Sequence, residues 1–143
     1  MPFRMIYSSE ATGDMPMAEL EKMLAQSRAR NTMRDVTGVL VFVDGVFMQI
    51  LEGERESVGA LMEKIARDPR HRRVTVFHEE DLDRRTFGAW RMAFVSPSAE
   101  EMAAWAGLEG STTVEETLAT LRSDPGRIPR VVFHLLEAVS SAA

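Results

Sequence analysis

Residues 36–53, VTGVLVFVDGVFMQILEG, decide the fold. Two apolar runs, Val36–Val43 and Val46–Glu52, flank Asp44-Gly45, a dipeptide suited to the tight primed turn of a β-hairpin. In the second run Val46, Met48 and Ile50 share one face while Phe47, Gln49 and Leu51 share the other. Both faces are therefore apolar, and each needs a covering layer. Gln49 is the polar exception. A buried amide has two donors and an acceptor to satisfy, and leaving them unpaired costs about 1–3 kcal/mol each. Something polar must lie against this strand.

Upstream, Phe3, Met5 and Tyr7 alternate with Arg4 and Ile6, predicting an opening strand that carries the chain's single tyrosine near its end. The cluster Ser8 to Gly13 is expected to close that strand. Asp14 is expected to cap a helix with the apolar stripe Met17, Leu20, Leu24. Ser27 and Asn31 continue this stripe as polar residues on the inward face, which by itself reads as a fraying helix end or an inward cap. Downstream, Val58, Leu61, Met62 and Ile65 mark a second amphipathic helix stopped at Asp68-Pro69. Val74 to Phe77 reads as a further strand. Trp90, Met92 and Phe94, alternating with Arg91, Ala93 and Val95, read as the last one. The order predicts an α+β, ferredoxin-like βαββαββ sandwich over residues 1–95, with one sheet under two helices.

From Ser96 onward the pattern is helical, predicting a C-terminal helical extension over 96–143 rather than an independent domain. Ser98 with Glu101 and Thr113 with Glu116 have capping-box spacing, and Ile128, Val131, Val132, Leu135, Leu136 and Val139 trace one apolar face. The last helix is expected to cover the sheet face that the first two helices leave bare, or to share it with a partner.

Composition narrows the chemistry. A chain of 143 residues supports one hydrophobic core. With no cysteine there is no disulfide, thiolate metal site or cysteine nucleophile, which fits a reducing compartment. A net charge of −5 argues against a nucleic-acid surface despite the basic run Arg70, Arg72, Arg73. No segment has the length and apolarity of a membrane span and the N-terminus lacks a signal-peptide pattern, so a cytoplasmic location is expected. His78 and His134 have no ligand-like companions, and no metal is expected. The carboxylates read as scattered over exposed faces, with no arrangement that calls for substrate turnover.

The ordered set of Tyr7, Ser27-Arg28-Ala29-Arg30-Asn31, Val36-Thr37-Gly38-Val39-Leu40, Gly45 to Gly53, Asp68-Pro69-Arg70-His71-Arg72 and Trp90-Arg91-Met92 resembles the BLUF domain, a flavin-based sensor of blue light. Any one of these motifs is weak, but their order is specific, and the resemblance runs from residue 2 to about 95. It implies non-covalent FAD between the two helices, with Asn31 and Gln49 hydrogen-bonded to the polar edge of the isoalloxazine and Ser27 in support. It puts Arg70 and His71 on the ribityl and phosphate side, although both residues read equally as cations favourable at a helix C-terminus. Arg72 and Arg73 read as the latter. The resemblance further implies Tyr7 as electron donor, Gln49 as proton relay and Trp90 as a second candidate donor. Trp90 and Met92 are then the elements that rearrange on the last strand and pass the signal to the tail. The implied partners are a downstream protein and further copies of the chain.

Two other readings compete. A small hydrolase of the acylphosphatase type would want a glycine-rich anion loop with an arginine after the first strand, whereas Ser8 to Gly13 carries Glu10 there. A flavin-free interaction module would leave Tyr7, Asn31 and Gln49 free to become apolar. Taken singly, Tyr7 reads as a core phenol, and Trp90 and Met92 as packing.

Overall fold

A computed structural model describes residues 1–110 and 112–141. The expected extension thus includes three residues, Ser111, Ala142 and Ala143, outside the described ones. In chain order the elements are β1 (Phe3–Ala11), α1 (Met17–Arg34), β2 (Thr37–Val43), β3 (Val46–Gly53), α2 (Arg55–Arg67), β4 (His71–Asp81), β5 (Ala93–Val95), α3 (Ala99–Trp105), α4 (Val114–Ser123) and α5 (Ile128–Ser141), with a 3-10 turn at Pro125–Arg127. The mixed α+β arrangement and its strand order agree with the sequence.

The five strands lie in the order β4-β1-β3-β2-β5, antiparallel except for the parallel pair β2–β5. The hairpin forms where expected. Val43 pairs with Val46, and Asp44 and Gly45 both take positive φ, 49° and 77°, as a primed turn requires. Gly38 serves a different need: a Cβ there would lie 1.9 Å from the carbonyl oxygen of Ile50, so β2 and β3 approach this closely only without a side chain.

One sheet face, with Phe3, Met5, Tyr7, Phe47 and Leu51, packs against the buried stripes of α1 and α2. The other, with Ile6, Val39, Val41, Met48 and Ile50, packs against Met102, Leu118, Leu121, Ile128, Val131 and Leu135. The C-terminal helices therefore cover the second face, and the alternation in β3 divides its residues as expected. Ser98 and Glu101 form the full reciprocal capping box. Thr113 accepts from the Glu116 amide, but the Glu116 carboxylate takes the Thr112 hydroxyl instead.

Several local expectations are corrected. β1 continues through Ser8, Ser9 and Glu10 to Ala11, so Tyr7 sits at mid-strand. Pairing of Ser8, Ser9 and Glu10 with Met48, Phe47 and Val46 overrides their turn preference, and an anion loop after β1 is not built. α1 begins after Pro16 with no side-chain cap from Asp14. Met17 is 60 % exposed, and Met23 joins Leu20 and Leu24 on the buried stripe. β4 is 11 residues long. Arg72 and Arg73 lie on it, paired with Glu10 at 3.5 and 3.3 Å, and not at the end of a helix. β5 has only three residues, so Trp90 and Met92 precede it.

The carboxylates are not all exposed either. Glu52 is fully buried and accepts from Nε and Nη2 of Arg4 at 3.1 and 2.8 Å and from the backbone amide of Phe87 at 2.7 Å. Arg4 also donates to Thr86. This pair ties the loop that follows β4 to the sheet. Among the described residues, no helix is long and apolar enough to cross a membrane, and no cluster of histidine and carboxylate side chains could hold a metal.

Candidate functional site

Tyr7 and Gln49 face each other across β1 and β3, on the face covered by α1 and α2. The Tyr7 hydroxyl donates to Gln49 Oε1. Gln49 Nε2 in turn donates to the Met92 sulfur at 3.2 Å. Three side chains from β1, β3 and the segment before β5 thus make one hydrogen-bonded chain, and its last link is weak because a thioether is a poor acceptor. One amide hydrogen of Gln49 remains free. Burial raises the pKa of Tyr7 well above the ordinary phenol value; Arg30 opposes this and Asp68 adds to it. The phenol is neutral at any physiological pH.

Helix α1 supplies the opposite wall. Its inward stripe carries Ser27 and Asn31, both buried, where the helical period otherwise places apolar residues. Asn31 Nδ2 donates to the carbonyl of Arg91 at 2.5 Å, whereas its Oδ1 is buried with no partner. Ser27 accepts from Arg30 Nη2 at 3.4 Å, and Arg30 Nε is buried without a partner. Arg28 donates to the carbonyl of Met92 at 3.0 Å. Two side chains of α1 therefore hold the backbone of residues 91–92.

Asp68, Arg70 and His71 form the mouth. Arg70 grips Asp68 through Nε and Nη2, the latter at 2.6 Å, and Nη1 reaches Gln26 at 3.0 Å. The Arg70 hydrogen bonds hold the Asp68 carboxyl below its usual range. Each Nη of Arg70 keeps one N–H free. His71 Nδ1 lies 2.7 Å from Ser9 Oγ, and burial holds its imidazole below the ordinary value, with Asp68 pulling the other way. The cleft is nearly closed. About 10 Å³ of it admits water, room for about one molecule. Wider grooves of about 250 and 390 Å³ lie elsewhere. The cleft differs from them in gathering Tyr7, Gln49, Ser27, Arg70 and His71 together with Arg30, whose Nε is buried without a partner.

The orphaned Asn31 Oδ1 and the spare Gln49 hydrogen bear on what fits. An acceptor at Asn31 Oδ1 and a donor at Gln49 Nε2 complement a flat ring edge that carries both N–H and C=O groups, as flavin does. Of the residues expected here, Tyr7, Ser27, Gln49, Arg70 and His71 line the cleft, while Met92 joins it through Gln49 and Asn31 lies behind it, bonded to the Arg91 carbonyl next to Met92. Trp90 takes no part. It packs on the far face near Phe87, at 6.4 Å between ring centroids, because the chain bends before β5 and strand alternation does not reach back to residue 90. Sequence reasoning also missed a role for Arg28, whose exposed position gives no signal. It missed the Arg4–Glu52 clamp too, although the two are directly opposite in the β1–β3 register.

A family model described as sensors of blue-light using FAD matches residues 3–93. The chain is 35% identical over 99 residues to a photoactivated adenylate cyclase subunit beta of Euglena gracilis, covering 68% of this chain and 11% of that protein. It is 36% identical over 84 residues to the blue light- and temperature-regulated antirepressor BluF of Escherichia coli (strain K12), covering 59% of this chain and 21% of the other. The chain spans only about a tenth to a fifth of the length of these two relatives. The dark-state structure of BlrB, a BLUF protein, superposes with a TM-score of 0.76 at 26% identity and with 96% of each chain covered. With a match over nearly two thirds of its length and the same fold throughout, this chain belongs to the BLUF family of flavin-based blue-light sensors.

Proposed function

We propose that residues 1–95 hold FAD non-covalently between α1 and α2, and that the chain signals light by protein contact, without substrate turnover, through an output extension over 96–143. The observation that carries this reading is the chain Tyr7–Gln49–Met92 running beside the orphaned Asn31 Oδ1. Asn31 and Gln49 meet the ring edge, Ser27 supports it through Arg30, and Arg70 and His71 face the ribityl and phosphate side.

Bound flavin supplies a strong one-electron oxidant when it absorbs blue light. Tyr7 is the donor, and burial forbids its prior ionisation. Its electron and proton would therefore leave together, the electron to the excited flavin and the proton along the existing hydrogen bond to Gln49 Oε1, and both would return to Tyr7 before the cycle ends. The amide then rotates, tautomerises or does both, and the bond it gives up is the weak one from Nε2 to the Met92 sulfur. Met92 is anchored by its carbonyl to Arg28 and adjoins the Arg91 carbonyl held by Asn31. A shift there reaches both α1 and β5, and β5 leads into α3. The receiver is a downstream protein, and the chain also associates with copies of itself.

The test is an absorption spectrum of the purified protein from a flavin-producing host, before and just after blue light. A flavin band that moves to the red and recovers in darkness is expected. A colourless protein that also fails to take up added FAD overturns the reading.

A further inference from the structure

Strand β4 forms one margin of the sheet, with β1 as its only strand neighbour. Its charges are divided by sign along its length. The first three residues are His71, Arg72 and Arg73, the last three are Glu79, Glu80 and Asp81, and Val74-Thr75-Val76-Phe77-His78 lies between them. Val76 at the centre is 40 % exposed. An open edge of this length presents unpaired backbone groups that another strand can use.

Charged residues on an edge ordinarily keep strands apart. Here the arrangement is selective. A parallel neighbour of the same sequence sets like charges side by side. An antiparallel neighbour, turned about a twofold axis near Val76, sets Arg73 against Glu79 and Arg72 against Glu80, each contact occurring twice.

We infer that β4 is the surface through which two copies of this chain pair, antiparallel and edge to edge. This assignment rests on the self-association proposed above, but not on the flavin. The intramolecular partners of these charges leave them available. Glu10 is a single carboxylate shared by Arg72 and Arg73, whose side chains are 61 % and 79 % exposed. At the acidic end Asp81 meets Arg55 and Glu80 meets His78 and Arg4, while Glu79 makes no ion pair among the described residues. Register shifts against β1 and the positive φ of Arg73, 53°, bend the strand, so the new ladder is short and centred on Val76. The charged ends select the orientation.

Sedimentation of the full chain across a concentration series tests this, with Arg72→Glu/Arg73→Glu and Glu79→Arg/Asp81→Arg as variants. The parent is expected to dimerise, less tightly as salt is added. Each variant alone is expected to dimerise about tenfold or more weakly, and an equimolar mixture to recover a mixed dimer, which also shows that both variants are folded. A parent that stays monomeric at every concentration overturns the self-association itself. A dimer in which both variants pair as tightly as the parent overturns the β4 surface and leaves self-association standing.

Discussion

The two faces of the sheet are covered alike by helices, yet they are finished differently. Against α3–α5 the interior is a continuous apolar cluster, and the one buried orphan there among the described residues is the hydroxyl of Thr117. Against α1 and α2 the apolar cluster is interrupted by Tyr7, Ser27, Asn31 and Gln49, and both Asn31 Oδ1 and Arg30 Nε are left without partners. Native interiors rarely tolerate unpaired polar groups close together. One face is a largely apolar core, and in the function proposed above the other is where the flavin binds.

The most severe break in this contrast comes from Tyr7→Phe. The ring is kept and the proton and donor are lost, so flavin remains bound and the reversible red shift disappears under flash illumination. Leu135→Ala strikes the other face. Leu135 is fully buried, and its truncation is expected to cost about 2–5 kcal/mol, read as a lower denaturation midpoint, while the shift survives in folded protein. Asn31→Ala removes both the orphaned acceptor and the bond to the Arg91 carbonyl. Loss of one buried hydrogen bond to a ligand is worth about 1–3 kcal/mol, so a titration should show flavin affinity falling by about 5- to 150-fold. The smallest effect is the pH response of His71. Its folded-state pKa is depressed by burial, so the unfolded chain binds more protons as pH falls through the ordinary value of 6.5. This contribution to stability is complete above that value and is lost progressively below it. His71→Gln should flatten that part of the stability–pH curve.

The same contrast explains what could be read in the sequence. Asp44-Gly45 between two apolar runs left no alternative to a hairpin, and polar letters at Gln49, Ser27 and Asn31 stand out because strand and helix periods call for apolar ones there. The alternation at residues 90–95 was misleading, since six residues cannot distinguish a strand from a bend that enters a three-residue strand. Trp90 consequently belongs to the core face and Met92 to the ligand face. Ser8, Ser9 and Glu10 look like a turn, and only their pairing with β3 keeps them extended. Arg28 was silent because an exposed helix position reveals nothing about a carbonyl contributed by a segment 64 residues later. Arg4 and Glu52 were legible only once the register of β1 on β3 is known.

The central claim is that Gln49 connects Tyr7 to the ligand and to Met92. It is tested most directly by the light-minus-dark absorption spectrum of Gln49→Leu, a substitution that puts an apolar side chain of similar size in place of the amide and removes its side-chain hydrogen bonds. Flavin retained with no red shift is the expected result. A shift of normal size in that variant would contradict the mechanism and move the switch to another residue.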